Sequence, residues 1–262
     1  MGLIGNRLIG TRNRLNVEAL EYISRVEFAD GQPLEFEVRN AIFNLFNSLK
    51  SDGILHHIKS SALMVGARTL EGALTQLISG VPSVTNFNFT GADYSRTLGL
   101  LGDGSTTYID TNRSNSAEPR IDMHLSIFLS ELTSGEQMFA SAYADVGGST
   151  ELYQSNFEAA TRHRRDIRFL SGDLNTGFFG ISRSDSESSY VARNNSVNVT
   201  HNTQAQQPTN RNIYLFARNS GTVTPTFFSN SRITAFTIGT GVDLALLDTS
   251  LSNYISTIQS VL

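Results

Sequence analysis

The sequence predicts a mainly β protein, a jelly-roll sandwich preceded by a helical N-terminal part and closed by a short C-terminal helix. Three observations lead there. Before Val81 the apolar residues recur every three to four positions, and beyond it they alternate with a period of two. The β half is built of short runs separated by clusters of Gly, Asn, Asp and Ser, as in layered β folds. After Gly239 and Gly241 the spacing becomes helical again. The expected organisation is an arm over 1–15, a helical attachment region over 16–80, and a sandwich with its terminal helix over 81–262.

The arm carries a short repeat, Leu3-Ile4-Gly5-Asn6-Arg7 and then Leu8-Ile9-Gly10-Thr11-Arg12, followed by Arg14. Its period of five fits neither helix nor strand. Chain ends of this kind order poorly by themselves, or order against a neighbouring subunit. In the second case Leu3, Ile4, Leu8 and Ile9 are the apolar anchors, and Arg7, Arg12 and Arg14 pair with acidic surface.

Asn16 is a suitable N-cap and Glu18 an early acid for a first helix whose stripe runs through Leu20, Ile23 and Val26, ending at Ala29-Asp30-Gly31. Pro33 can open the next helix, striped by Leu34, Val38, Ala41, Ile42, Leu45, Phe46 and Leu49 and stopped at Asp52-Gly53. Ile54 to Ile58 and Thr69 to Ile78 read as shorter helical pieces. Val81-Pro82 is a boundary, because proline disfavours helix at the residue before it.

Expected strands follow at Thr85 to Phe89, Tyr108 to Asp110, His124 to Leu129, Gln137 to Tyr143, Asp166 to Leu170, Gly177 to Ser182, Ser189 to Arg193 and Val197 to His201. Two more lie at Ile213 to Arg218 and Arg232 to Ile238, rich in β-branched and aromatic residues on both faces. Asn202 to Arg211 is expected to be an exposed loop. The terminal helix should bury Leu244, Leu247, Leu251, Tyr254, Ile255 and Ile258 along one side.

Composition narrows the function. A chain of 262 residues can bury a large core, and with no cysteine it has no disulfide, thiolate metal site or cysteine nucleophile. Charged residues are 17%, below the roughly 25% of an average domain. A net charge of -4 with a pI near 5.7 argues against nucleic acid, which needs clustered Lys and Arg. No apolar run approaches the roughly 20 residues that span a bilayer, and Arg7, Arg12 and Arg14 interrupt any secretory core. A soluble protein with neither membrane nor nucleic-acid partner is expected.

The segments Tyr214 to Gly221 (Y-L-F-A-R-N-S-G), Ser231 to Gly239 (S-R-I-T-A-F-T-I-G) and Val242 to Asp248 (V-D-L-A-L-L-D) resemble the closing part of the laminin-G-like group within the concanavalin A-like lectin and glucanase fold. Gly99 to Asp110 (G-L-L-G-D-G-S-T-T-Y-I-D) is similar to that group's early hairpin. The whole chain resembles virion structural proteins of marine tailed bacteriophages, through A-D-G-Q-P-L-E at Ala29 to Glu35 and G-A-R-T-L-E-G-A-L at Gly66 to Leu74. That resemblance implies a non-enzymatic protein of the virion, a capsid decoration or a tail-fibre or adsorption component. Its partners would be other virion proteins and further copies of itself, most naturally as a trimer. A stand-alone module for host surface polysaccharide is the alternative.

No catalytic residue is expected. The paired-acid pattern of the fold's glucanases, Glu-x-Asp-x-x-Glu, does not occur, and Asp185 with Glu187 in a serine-rich stretch reads as a solvated hairpin tip. His56 and His57 are adjacent, and His124, His163 and His201 are scattered, so no metal site and no cofactor is expected. For calcium, which shapes glycan sites in several members of this fold, Asp103, Asp110, Asn112 and Asn115 stand near turns; turn Asn and Asp more commonly serve the backbone. The run Thr161-Arg162-His163-Arg164-Arg165-Asp166 reads either as a charged loop or as a phosphate or anionic-glycan contact. A cell-surface glycan would stack on tyrosine, since the chain has no tryptophan. Tyr94, Tyr108, Tyr143, Tyr153 and Tyr190 are the platforms available, and Tyr94, Tyr108 and Asn112 the foremost candidates.

Overall fold

The computed structural model describes residues 16–262 apart from Val146 and Phe157. The arm residues Leu3, Ile4, Arg7, Leu8, Ile9, Arg12 and Arg14 lie outside the described residues. Three layers stack in order: helices, an eight-stranded antiparallel sheet and a seven-stranded antiparallel sheet.

The helices are α1 (Val17–Asp30), α2 (Phe36–Ser51), the single turn α3 (Leu70–Ala73) and α4 (Leu244–Val261). Asn16 caps α1 by accepting from the Ala19 N–H at 3.2 Å, and Gly31 ends it at φ 68°, a conformation that glycine adopts without cost. Asp243 caps α4 through the N–H groups of Ala245 and Leu246. The stripes read from the sequence of α2 and α4 are buried, and they meet each other and the outer side of the eight-stranded sheet, where Phe178 and Ala235 receive them. In α1 the stripe is Ala19, Tyr22, Ile23 and Val26, whereas Leu20 points out.

The eight-stranded sheet runs β13 (Val197–Asn202), β12 (Ser189–Asn194), β11 (Gly177–Arg183), β6 (Met123–Glu131), β15 (Arg232–Gly239), β4 (Gly99–Leu101) and β3 (Tyr94–Ser95), with β1 (Ile58–Leu63) also pairing β15. The seven-stranded sheet runs β10 (Arg168–Asp173), β9 (Glu158–His163), β8 (Thr150–Ser155), β7 (Gln137–Ala142), β14 (Asn212–Leu215), β5 (Tyr108–Ser114) and β2 (Thr85–Phe87). Between the sheets lies the main core, in which Leu125, Ile127 and Leu129 of β6 and Phe179 and Ile181 of β11 face Ile109, Phe139, Leu152, Ile213 and Leu215.

Four expectations are corrected. The change from helix to strand comes well before Val81, because β1 already lies on β15, with Ala62 opposite Phe236. The helical pieces expected at Ile54 to Ile58 and Thr69 to Ile78 are only the short 3-10 turn Leu55–His57 and α3. The strands β3, β8 and β9 were not expected, and Gly99 to Asp110, expected as a hairpin, puts β4 and the start of β5 in opposite sheets. The strand expected over Ile213 to Arg218 ends at Leu215, where Phe216 turns to φ 66° and drops its ring into the core.

Candidate functional site

The helices cover one side of the molecule, so the outer side of the seven-stranded sheet is the broad face left open. Alternation along its strands decides what stands there. Ile109, Ile213, Leu152 and Ala159 point inward, and their neighbours point out. The registers Thr85↔Asp110, Tyr214↔Asp110, Tyr214↔Ser141, Ser141↔Glu151 and Glu151↔Arg162 set those neighbours in one row across the sheet from β2 to β9.

One half of the face is aromatic. Phe87 lies opposite Tyr108 and stacks on it, 4.3 Å between centroids and 4° between planes. Tyr214 stands 5.0 Å from Tyr108, and Phe228 meets Tyr108 edge-on at 6.4 Å. All four rings are half-buried, which leaves apolar faces open to a ligand. Beside them run short polar side chains. Asn212 Nδ2 donates to Asp110 Oδ2 at 3.1 Å, and Asn112, at φ 52°, donates from Nδ2 to the Ser83 carbonyl at 2.7 Å and to Thr85 Oγ1 at 2.8 Å.

The other half is charged. Glu151, fully buried, accepts from Arg218 Nε at 3.0 Å and from the Ser141 hydroxyl at 2.8 Å, and pairs with Arg162 Nε at 2.8 Å. Both guanidinium groups lie over the Tyr143 ring, at 5.3 Å for Arg162 and 4.9 Å for Arg218, and Arg218 also lies 4.3 Å from the Phe227 ring. Burial pushes the Glu151 carboxyl up, opposed by Arg218, Ser141 and Arg162. Two cations on one carboxylate leave a net positive charge held in place by stacking.

A cavity of about 240 Å3 opens beside Arg218, lined by Met138, Tyr153, Gln154, Ile167 and Phe227 with Glu136 and Gln137 at its edge. Burial raises the Tyr153 phenol to about 12, so it stays protonated. The carboxylates of Asp110 and Glu151 sit on β5 and β8, three strand spacings apart, about 14 Å along the sheet. That exceeds the ~5–9.5 Å of a glycosidase acid pair.

The foremost candidates divide. Tyr108 and Asn112 are on this face. Tyr94 is not: it belongs to β3 on the other sheet and its hydroxyl donates to the Ala67 carbonyl at 2.8 Å. Of the other tyrosines, Tyr143 and Tyr153 are on the face, while Tyr190 is buried between the sheets with its hydroxyl on Thr161. The arginine run is split because β9 ends at His163 and Arg164 turns to φ 60°. Arg162 turns out to Glu151; Arg164, fully buried, binds the carbonyls of Asn115, Glu118 and Pro119; Arg165 pairs with Asp166 at the surface.

The residues weighed for calcium serve turns. Asp103 accepts from the N–H groups of Ser105, Thr106 and Thr107 and from two threonine hydroxyls. Burial alone would raise its carboxyl, but the Thr106 hydroxyl and these N–H groups hold it well below the usual carboxylate range. Asp110 accepts from the Asn112 N–H, and Asn115 Nδ2 donates to the Gly148 carbonyl. Among the described residues, no three or more His, Asp or Glu side chains gather in a metal-binding group. Asp185 and Glu187 lie in the exposed β11–β12 connection, where Glu187 pairs with Arg120.

Sequence reasoning missed Glu151, Arg218 and Tyr214 as site residues. The signal for Tyr214 was present in the alternation of Asn212 and Tyr214 with Ile213 and Leu215. The signal for Glu151 was not, since only the pairing of β8 with β7 and β9 buries it.

No family model matches the chain, and no curated protein does. Solved structures do. The binding domain of botulinum neurotoxin serotype D superposes with a TM-score of 0.52 at 9% identity, covering 75% of this chain and 51% of that one. A mutant Trypanosoma rangeli sialidase displaying trans-sialidase activity gives 0.50 at 11%, covering 83% and 38%. Domains LG4-5 of the mouse laminin alpha1 chain give 0.39 at 11%, covering 62% and 44%. The chain therefore spans about half or less of the length of each, and the likeness is one of fold. With its two antiparallel sheets and flanking helices, the chain is a mainly β, concanavalin A-like jelly-roll sandwich.

Proposed function

We propose that this protein is a non-catalytic glycan-binding domain that presents the outer face of its seven-stranded sheet to a surface polysaccharide. The observation that carries this reading is the row of half-buried rings, Phe87, Tyr108 and Tyr214, flanked by Asp110, Asn112 and Asn212. Sugar rings present apolar C–H faces and polar edges, and this face offers aromatic surface beside amide and carboxylate groups. The fold shared with a toxin's binding domain agrees with a binding role by analogy only.

On the sequence resemblance to tailed-phage proteins we propose a virion as its location, either decorating the capsid or in a tail fibre. There the arm would join it to other virion proteins or to further copies in a trimer. Mass spectrometry of purified particles with immunogold labelling tests that placement, and absence from the particle removes it. The binding reading is tested separately by a glycan array followed by calorimetry. Tyr108→Ala and Tyr214→Ala should each weaken binding by about three- to tenfold while leaving the melting profile intact. Unchanged affinity in both would refute the outer-face site.

A further inference from the structure

The reading above leaves the kind of sugar unnamed, and the charged end of the same face bears on it. Arg218 directs Nε at Glu151, so its Nη edge points away from that carboxylate, and among the described residues the Nη atoms donate to no protein acceptor. The guanidinium is held between the Tyr143 and Phe227 rings, which fixes its plane. Arg162 shares Glu151, so Arg218 keeps positive charge in excess of what the carboxylate neutralises. The side chain is 16% exposed, enough to be reached and little enough to be poorly hydrated.

The adjoining cavity has an apolar floor of Met138, Tyr153 and Ile167 and an aromatic wall in Phe227. At about 240 Å3 it is smaller than the ~300–1,000 Å3 of drug-sized sites, which suits one sugar ring better than an extended chain. A ligand supplying an anionic oxygen pair would complete the free edge of Arg218.

We infer that the cavity beside Arg218 is a subsite for an acidic sugar, a pyranose bearing a carboxylate, so that the outer face reads an anionic polysaccharide. The carboxylate lies on the Nη edge of Arg218, the planar fork that matches carboxylate geometry, and the sugar ring rests on the apolar floor. Glu136 at the rim opposes the anion and sets a limit on affinity. This inference rests on the glycan-binding reading and adds the chemical class of its ligand.

The test is calorimetric titration of the full chain with three probes: a neutral polysaccharide, a uronic-acid-containing polysaccharide and a sulfated one. Arg218→Lys keeps a charge facing Glu151 but removes the fork, and should weaken uronate binding by about tenfold or more, and by several-fold more than it weakens neutral binding. Glu136→Gln, at an exposed position that cannot threaten folding, should strengthen uronate binding several-fold and leave neutral binding unchanged. Equal affinity for neutral and uronate probes, with both variants silent, overturns the acidic subsite and leaves the outer-face reading standing. Sulfated polysaccharide binding as tightly as uronate and insensitive to Arg218→Lys also overturns it, as unspecific charge. No binding of any probe removes both readings.

Discussion

At the scale of single residues, two buried histidines give the molecule a defined response to acid. His124 is fully buried, with Nδ1 2.6 Å from the Thr240 carbonyl and Nε2 2.9 Å from the Thr237 hydroxyl, so the neutral ring carries its proton on Nδ1. His163, equally buried, donates from Nε2 to the Met123 carbonyl at 3.1 Å and lies near Arg164 and Arg183. Burial, the largest influence on both, lowers His124 to about 4 and His163 to about 3. The unfolded chain binds these protons near pH 6.5 and the folded chain does not, so the histidine contribution is complete above that pH and is lost as pH falls. Each histidine should remove about 1.4 kcal/mol per pH unit below 6.5. Glu151, raised by burial, works in the opposite sense. Urea midpoints should therefore drop between pH 7.5 and 5.5, and His163→Gln should flatten that slope whatever it does to stability at pH 7.5; an unchanged slope would show that His163 binds protons equally in the folded and unfolded chain.

At the scale of elements, the segments Ala29 to Glu35 and Gly66 to Leu74 bind each other. Asp30, the last residue of α1, accepts from the N–H groups of Arg68 and Thr69 and from the Thr69 hydroxyl, all at 2.8 Å. Thr69 in turn caps α3 through the Gly72 N–H at 3.1 Å. Glu35 pairs with Arg68 at 3.0 Å and with both Nη atoms of Arg96 at 3.1 and 2.8 Å. A Cβ at Gly72 would sit 2.0 Å from Asp30 Oδ1, so Gly72→Ala must push the carboxylate out of this clasp. We expect it to destabilise the protein by about 1–3 kcal/mol, read as a lowered denaturant midpoint. Full stability in that variant would show the clasp to be adaptable.

The same scale explains what could be read from the sequence. The helices α2 and α4 were legible because one apolar side repeats at helical spacing and is buried as a unit. Tyr108 and Asn112 read from the sequence as a stacking ring and a turn amide, and their places on the open face follow from β5, where they alternate with Ile109 and Thr111. The strands β8 (T-E-L-Y-Q-S) and β9 (E-A-A-T-R-H) were not, since their outward positions hold Glu151, Tyr153, Ala160 and Arg162, a mixture without a polar or apolar signature. Glu151 reads as a surface acid until Arg162 and Arg218 arrive from other strands. β1 was obscured in the same way, because I-K-S-S-A-L shows no alternation and is a strand only through its pairing with β15.

At the scale of the whole molecule, the eight-stranded sheet is a wall common to two cores. Its inner side contributes Leu125, Ile127, Phe179 and Phe236 to the core between the sheets, and its outer side contributes Phe178 and Ala235 to the core beneath the helices. β1 precedes Val81 in sequence yet lies in that wall, and Tyr254 of α4 reaches back to the Val65 carbonyl at 3.1 Å. A chain cut at residue 80 would lose β1 and α1 to α3 together. It would expose the apolar side of α4 and leave one edge of β15 unpaired where β1 had lain, a template for association. Each large apolar side chain uncovered there forfeits about 1.5–3 kcal/mol, which over several residues matches the whole stability of an ordinary domain. The full chain should accordingly melt in a single calorimetric transition with equal calorimetric and van't Hoff enthalpies. The fragment 81–262 should bind a hydrophobic dye and lack a cooperative melt. A fragment that melts cooperatively at the temperature of the full chain would mean that the helical layer is carried by the sandwich without stabilising it.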